Sequence, residues 1–181
     1  STSTLDENDV KSIEALDKNV QAAPIMTIDG TLKAKNGNIS NGMVVATTPT
    51  FAKTTSLTMQ DGSFLDESSP PQSAIVGWQM AINLFGTNDP IGQNFQLRGR
   101  TFTVVGILKK INNPLNHNNI DFDQVIIIPF ESGKKFHNGR SQIQQINLVA
   151  KDQSTLQAVI PKIEQALDTN HGERDFSVIS G

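Results

Sequence analysis

LFGTNDPIGQNFQLRGRTFTVVGIL, Leu84–Leu108, is the stretch on which the fold turns. It joins a helix ending to a sharp turn and then to two short strands. Gly86 suits the residue just past a helix, where left-handed backbone is common, and Asp89-Pro90 blocks further helix. Gly92 releases the chain into a strand over Gln93–Arg98. Gly99 turns it back into Thr101–Leu108, leaving Phe95, Leu97, Phe102 and Val104 for one side of a hairpin. Immediately upstream, Ala74–Val76 reads as a strand and a helix begins near Gly77. Its Trp78, Ala81, Ile82 and Phe85 fall at i, i+3, i+4 and i+7, a single buried stripe. The stretch is therefore scaffolding, with no side chain set for chemistry.

Outward from this unit the pattern stays mixed. Asp6 is placed to cap a first helix with Asp9 in its opening turn and Val10, Ile13 and Leu16 on its apolar face. Val20 to Thr48 reads as strands, with Asn36-Gly37 tipping a hairpin between Thr31–Lys35 and Ile39–Thr47. Pro24 is assigned an edge strand or a strand start. Thr50 to Ser56 holds a short helical turn, and Met59 to Gln72 is expected to be an exposed loop. Ile111 to Gln124 is polar and expected to loop. Val125 to Ile128 reads as a fully buried strand, Phe130 to Phe136 as a short helix or turn, and Ile143 to Lys151 as a strand. Ser154 is expected to cap a last helix carrying Leu156, Val159, Ile160, Ile163 and Leu167, with Pro161 kinking it. Phe176 to Ile179 is expected to add a final strand.

The 181 residues suffice for one ordinary domain or two small lobes. A hydrophobic share of 36% against 18% charged residues supports a packed core. A formal charge of −3 argues against nucleic acid as a partner, and the one tight basic cluster, Arg98 to Arg100, fits a hairpin tip. The absence of cysteine excludes disulfides, thiolate metal sites and a thiol nucleophile. The longest apolar runs, such as Val125–Phe130, are too short to span a bilayer. The opening STSTLDEND and the ending on Gly181 suggest an excised segment.

Reactive constellations are missing. His117, His137 and His171 are far apart in sequence, in expected loops or at a helix end, and no HExxH spacing occurs. The acidic pairs Asp6-Glu7, Asp66-Glu67 and Asp121-x-Asp123 read as solvated surface, and DFDQ lacks the glycine and terminal glutamate of a calcium loop. There is no phosphate loop, GxSxG or SxxK. No catalytic, cofactor-binding or metal-binding residue is assigned.

Six blocks in order carry a resemblance. These are TLDENDVKSIEAL (Thr4–Leu16), VQAAPIMTIDGTL (Val20–Leu32), VVATTPTF (Val44–Phe51), GSFLDESS (Gly62–Ser69), the long piece Ala74–Leu108 with LFG, DPIG and VVGIL, and HGERDFSV (His171–Val178). Together the chain resembles the extracytoplasmic core domain of MacB-type ABC transporter permeases.

The resemblance implies an α+β fold in two lobes. A porter-like βαβ lobe would be formed by both chain ends, residues 1–56 and 124–181, and an inserted sabre-like lobe by residues 57–123. It also implies a plasma-membrane protein with this domain on the extracytoplasmic side and transmembrane helices flanking it. The implied partners are a cytosolic ABC ATPase, a second permease copy and a membrane-fusion adaptor. Exposed loops Asp61–Gln72 and Ile111–Asp123 are the expected contact regions. The implied role is non-catalytic, relaying ATP-driven movement during export of peptide, antibiotic or lipid-like cargo, with no cofactor. A lipoprotein-releasing permease domain and a ligand-sensing extracellular domain are the alternatives.

Overall fold

Acidic residues cap the first helix from both directions. The computed structural model describes residues 5–111, 120–171 and 177–178. In helix α1 (Glu7–Leu16), Asp6 accepts from the amides of Asn8 and Asp9, while the Asp9 carboxylate accepts from the Asp6 amide at 2.9 Å. This reciprocal cap bonds amides that the helix itself leaves open. Ile13 is buried on the core, with Val10 and Leu16 half-buried beside it, as the spacing predicted.

Strand β1 (Val20–Ile28) is the hub of one half of the sheet. It pairs antiparallel with β10 (Gln145–Ala150) through Val20–Ile25 and with β4 (Val44–Thr47) through Met26–Ile28. Parallel additions extend each side: β11 (Ser177–Val178) on β10, and β9 (Ile126–Pro129) on β4. Past β9 the path continues through β6 (Ser73–Val76), β8 (Arg100–Leu108), β7 (Asn94–Leu97), β2 (Leu32–Ala34) and β3 (Ile39–Ser40). Strand β5 (Met59–Gly62) lies on β8, off that path. Helices α1, α2 (Phe51–Thr55), α4 (Phe130–Lys134) and α5 (Gln153–His171) pack on the β1 half, and α3 (Trp78–Phe85) packs on β2, β3 and β8. The fold is α+β with a mixed sheet.

Burial follows the pleat. Phe95, Leu97, Phe102 and Val104 are all buried on one side of the β7–β8 hairpin, and the Phe95 and Phe102 rings stack at 5.6 Å. Arg98 and Gly99 form its tip with φ of 51° and 82°, the paired left-handed conformation that matches strand twist. At β9 and the residue before it, Ile126 and Ile128 enter one core cluster while Val125 and Ile127 enter the other. A strand covered on both faces reads as an unbroken apolar run, which is why VIII shows no alternation.

Several expectations need correction. Pro24 is neither at an edge nor at a strand start; it sits within β1. Its carbonyl faces β4 and accepts from Thr47 Oγ1 at 2.7 Å, so the missing N–H also falls on that side, beyond the end of the β4 ladder. The stripe on α3 is rotated: Met80, Ala81, Leu84 and Phe85 are buried, whereas Ile82 is 38% exposed. The β2–β3 hairpin crosses the helix end and sets this face, with Asn36 and Asn38 both donating to the Leu84 carbonyl. The second strand of that hairpin stops at Ser40, and β4 begins a separate ladder.

The segment Met59–Gln72 is not all loop, because Met59–Gly62 pairs with β8. Asp152, not Ser154, caps α5 by accepting from the Thr155 amide at 2.7 Å. That helix is continuous through Pro161, which is exposed, as is Gln157, whose carbonyl loses its partner there and can meet water. Strand β2 pairs with β7 through Leu32–Ala34, and β3 pairs with β2. Residues 112–119, including His117, and residues 172–176 and 179–181 lie outside the described residues, and with them most of the Ile111–Gln124 loop and of the closing block.

Candidate functional site: the junction of the two sheet halves

The β1 half and the β8 half meet at β9 and β6, through the pairs Ile75↔Ile127 and Val76↔Ile126. Where β6 ends, the chain turns into α3 at Gly77, and the return segment to β9 lies directly against it. Gly77 N–H donates to the Val125 carbonyl and Met80 N–H to the Asp123 carbonyl, both at 2.9 Å. There is no room for a side chain at Gly77: a Cβ would lie 2.4 Å from the Phe122 carbonyl oxygen. Gly42 is closed in similarly, by Met80 and the Gln124 carbonyl. Asp123 also accepts from the Ile111 amide at 3.2 Å, tying the departing end of the β8 half to the same turn.

A second set of contacts bridges the halves at the rim. After α4 the chain makes a short turn of 3-10 helix, Lys135–His137. Phe136 on it meets Phe102 at 6.3 Å, extending a run of rings through Phe95 to Phe85. Arg98 and Arg100 sit 5.3 and 5.5 Å from the Phe136 ring centroid. Each such cation–ring contact contributes about 0.5–1 kcal/mol at an exposed site. Ser132 of α4 donates to the Pro71 carbonyl ahead of β6. Within its own half, Lys134 is bonded to Glu7 at 2.7 Å and to Glu131 at 3.0 Å. The Glu7 hydrogen bond, opposed in part by burial and aided by Glu131, holds the ammonium above its ordinary pKa.

The junction is made of backbone hydrogen bonds, close packing and ring contacts. Among the described residues no group of three His, Cys, Asp or Glu is placed to hold a metal ion. No described helix is long and apolar enough to cross a membrane. His137 Nε2 is buried without a hydrogen-bond partner among the described residues. Asp66 sits in a turn of its own making: the Ser68 hydroxyl and amide donate to it and lower its pKa. Asp6 and Asp9 serve the helix cap. Glu7 and Glu67, from two of the acidic pairs, line one open groove together with Glu14, Glu131 and Lys11. Sequence reasoning missed Phe136, Met80 and Asp123 as junction residues. Their sequence neighbourhood holds no signal for it, because each acts through a segment far away in the chain.

The profile of the family described as MacB-like periplasmic core domain matches residues 1–166. The chain belongs to that family. It is 27% identical over 180 residues to a macrolide export ATP-binding/permease protein MacB of Rhodospirillum rubrum, covering 97% of this chain and 27% of that protein. It is also 27% identical over 122 residues to an uncharacterized ABC transporter permease of Methanocaldococcus jannaschii, covering 67% of this chain and 29% of the relative. The chain thus spans less than a third of the length of these curated relatives.

Solved structures share the fold of this MacB-like domain. The extracellular domain of the noncanonic ABC-type transporter YknZ from Gram-positive bacteria superposes with a TM-score of 0.75 at 19% identity, covering 94% of this chain and 86% of that one. The periplasmic region of MacB from Actinobacillus actinomycetemcomitans gives 0.74 at 16% identity, covering 96% and 77%.

Proposed function

We propose that this domain is the extracytoplasmic relay of an ABC exporter permease in the plasma membrane. It takes movement from flanking transmembrane helices, driven by ATP hydrolysis on a cytosolic ATPase, and passes it to a membrane-fusion adaptor. The cargo class is peptide, antibiotic or lipid-like molecule, and two permease copies work together. The domain itself is non-catalytic.

The observation that carries this reading is the junction. Each sheet half has its own helices, two core clusters run across both halves, and the strands of the halves meet through a short β6–β9 pairing, a packed glycine turn and an arginine–phenylalanine contact at the rim. A continuous sheet whose halves pair over only two residues at this point offers a place where packed elements can slide or bend in a shear or hinge relay. In this reading the porter-like lobe comprises residues 1–56 and 124–181 without the β2–β3 hairpin, which moves with the inserted lobe.

The parent gene supplies the first test. Its product should carry transmembrane segments beside this domain, with a Walker-type ATPase in the same or a neighbouring gene; a free secreted chain would sink the proposal. A second test uses the absence of cysteine from this domain, with any cysteine elsewhere in the transporter replaced. In the full transporter, Ser132→Cys and Gln72→Cys joined by a short bis-maleimide should leave ATP hydrolysis intact and stop export. Export at the parent rate with the halves cross-linked argues against a relay across this junction.

A further inference from the structure

The outer face of the β2–β7–β8 sheet is uncovered and carries charge of one sign. Cross-strand register places Ile39, Lys33, Gln96 and Thr101 in one row, through the pairs Lys33↔Ile39, Lys33↔Gln96 and Gln96↔Thr101. Paired residues in antiparallel strands project from the same side. Lys33, Lys35, Asn94, Gln96 and Thr101 line one shallow groove on that side. The opposite side is the buried one, with Leu32, Phe95, Leu97 and Phe102.

The charge is segregated. Strands β2, β7 and β8, with Lys35 and the hairpin tip, hold Lys33, Lys35, Arg98 and Arg100 and no Asp or Glu. Lys33 and Lys35 belong to the outer face, whereas Arg100 pairs with Leu97 and projects from the opposite side. Arg98 and Arg100 are engaged at Phe136, whereas Lys33 and Lys35 are exposed and make no ion pair among the described residues. Ile39, 59% exposed, stands beside Lys33 as the most exposed large apolar side chain described.

We propose that this face docks an acidic, extended segment of a protein partner. Lys33 and Lys35 are two residues apart on or just past a strand, so they present charges about 7 Å apart. That is the spacing of alternate side chains in an extended chain, and carboxylates at alternate positions meet both lysines. The amides of Asn94 and Gln96 and the Thr101 hydroxyl then bond the intervening polar groups, and Ile39 gives one apolar contact at the rim. A bilayer is the poorer occupant, because membrane-surface elements present a broad apolar face and this one presents a single isoleucine. The proposal rests on the relay reading, since the partner is the protein to which movement is passed, and it names the surface.

The test is fluorescence anisotropy of the chain with a labelled peptide of alternating Glu and Thr, at low and physiological salt. Saturable binding is expected that weakens with salt. Lys33→Ser with Lys35→Ser should weaken it about tenfold, the combined effect of two exposed ion pairs in the upper half of their range. Gln96→Glu, which sets a carboxylate opposite Lys33, should do the same with both lysines in place. Lys151→Ser with Lys162→Ser, exposed and in the other half, should leave binding unchanged.

Equal weakening by that control pair, no saturable binding, or tighter Lys33-dependent binding to phosphatidylglycerol vesicles than to the peptide would overturn the proposal. These results are independent of the gene neighbourhood and the cross-linking outcome. The docking surface can therefore fail while the relay stands.

Discussion

Gly77→Ala perturbs the junction at its tightest point, and its cost can be worked from the contacts. An alanine Cβ there would lie 2.4 Å from the Phe122 carbonyl oxygen and 2.6 Å from the Asp123 carbonyl carbon and oxygen. Real Cβ atoms do not approach within 3.0 Å, so backbone must retreat by about 0.6 Å. It cannot retreat freely, because the Asp123 and Val125 carbonyls accept from Met80 and Gly77 in the same turn. Overpacking costs about 1–3 kcal/mol, and weakening two buried hydrogen bonds adds up to about 1 kcal/mol each. A loss of about 3 kcal/mol follows, which in a chain this long lowers Tm by about 6–12 °C.

Gly86→Ala is the matched control. Gly86 has φ of 72° and open space around its Cβ position. Its substitution is penalised only by left-handed backbone, about 1–2 kcal/mol. Thermal melts of both variants, followed by circular dichroism, decide the matter. A Gly77→Ala protein melting within about 2 °C of the parent, or above Gly86→Ala, would refute the claim that the junction is closed by backbone packing.

Other expectations follow from the same contacts. Asp6→Ala removes the reciprocal cap of α1 and should cost about 1 kcal/mol in urea unfolding, whereas Asp6→Asn should cost less. Phe95→Ala removes a fully buried ring stacked on Phe102 and should cost about 3–5 kcal/mol, read as a lower urea midpoint with unchanged slope. Arg98→Ser with Arg100→Ser should cost about 1–2 kcal/mol, and the same pair made on a Phe136→Leu background should cost nearly nothing.

The Asp152 carboxyl is held below its ordinary pKa of 3.8, first by the Thr155 amide. A depressed carboxylate stabilises the fold above the unfolded value and loses that effect as pH falls through the folded one. Protection of the Thr155 amide from exchange should therefore hold at neutral pH and drop only below about pH 4, and Asp152→Asn should abolish the drop.

Local chemistry made much of the fold legible. Asp6, the Asn36-Gly37 turn, the Arg98-Gly99 tip and the alternation of Phe95, Leu97, Phe102 and Val104 each act within a few residues, and the structure places them as the pattern predicts. Failures occur where a distant segment sets the outcome. The edge strand β5 is nearly all exposed and irregular in register, so it carries no alternation to read. The buried face of α3 depends on Asn36 and Asn38 reaching Leu84 across more than forty residues of sequence. The cap of α5 was misplaced by two residues because Asp and Ser are both good caps and only backbone geometry chooses between them.

By itself the sequence determined the turns, the α1 cap, the apolar strand β9 and the order of blocks that marks a MacB-like periplasmic core domain. All of these rest on backbone preference and side-chain period, which act locally. Only the tertiary structure decided that β2 and β3 join β7, that β6 meets β9, and that Phe136 receives two arginines from the hairpin tip. Such pairings are settled by which surfaces exclude water together and by which carbonyl each amide finds. Segments far apart in the chain make those choices jointly, so no single window of residues records them.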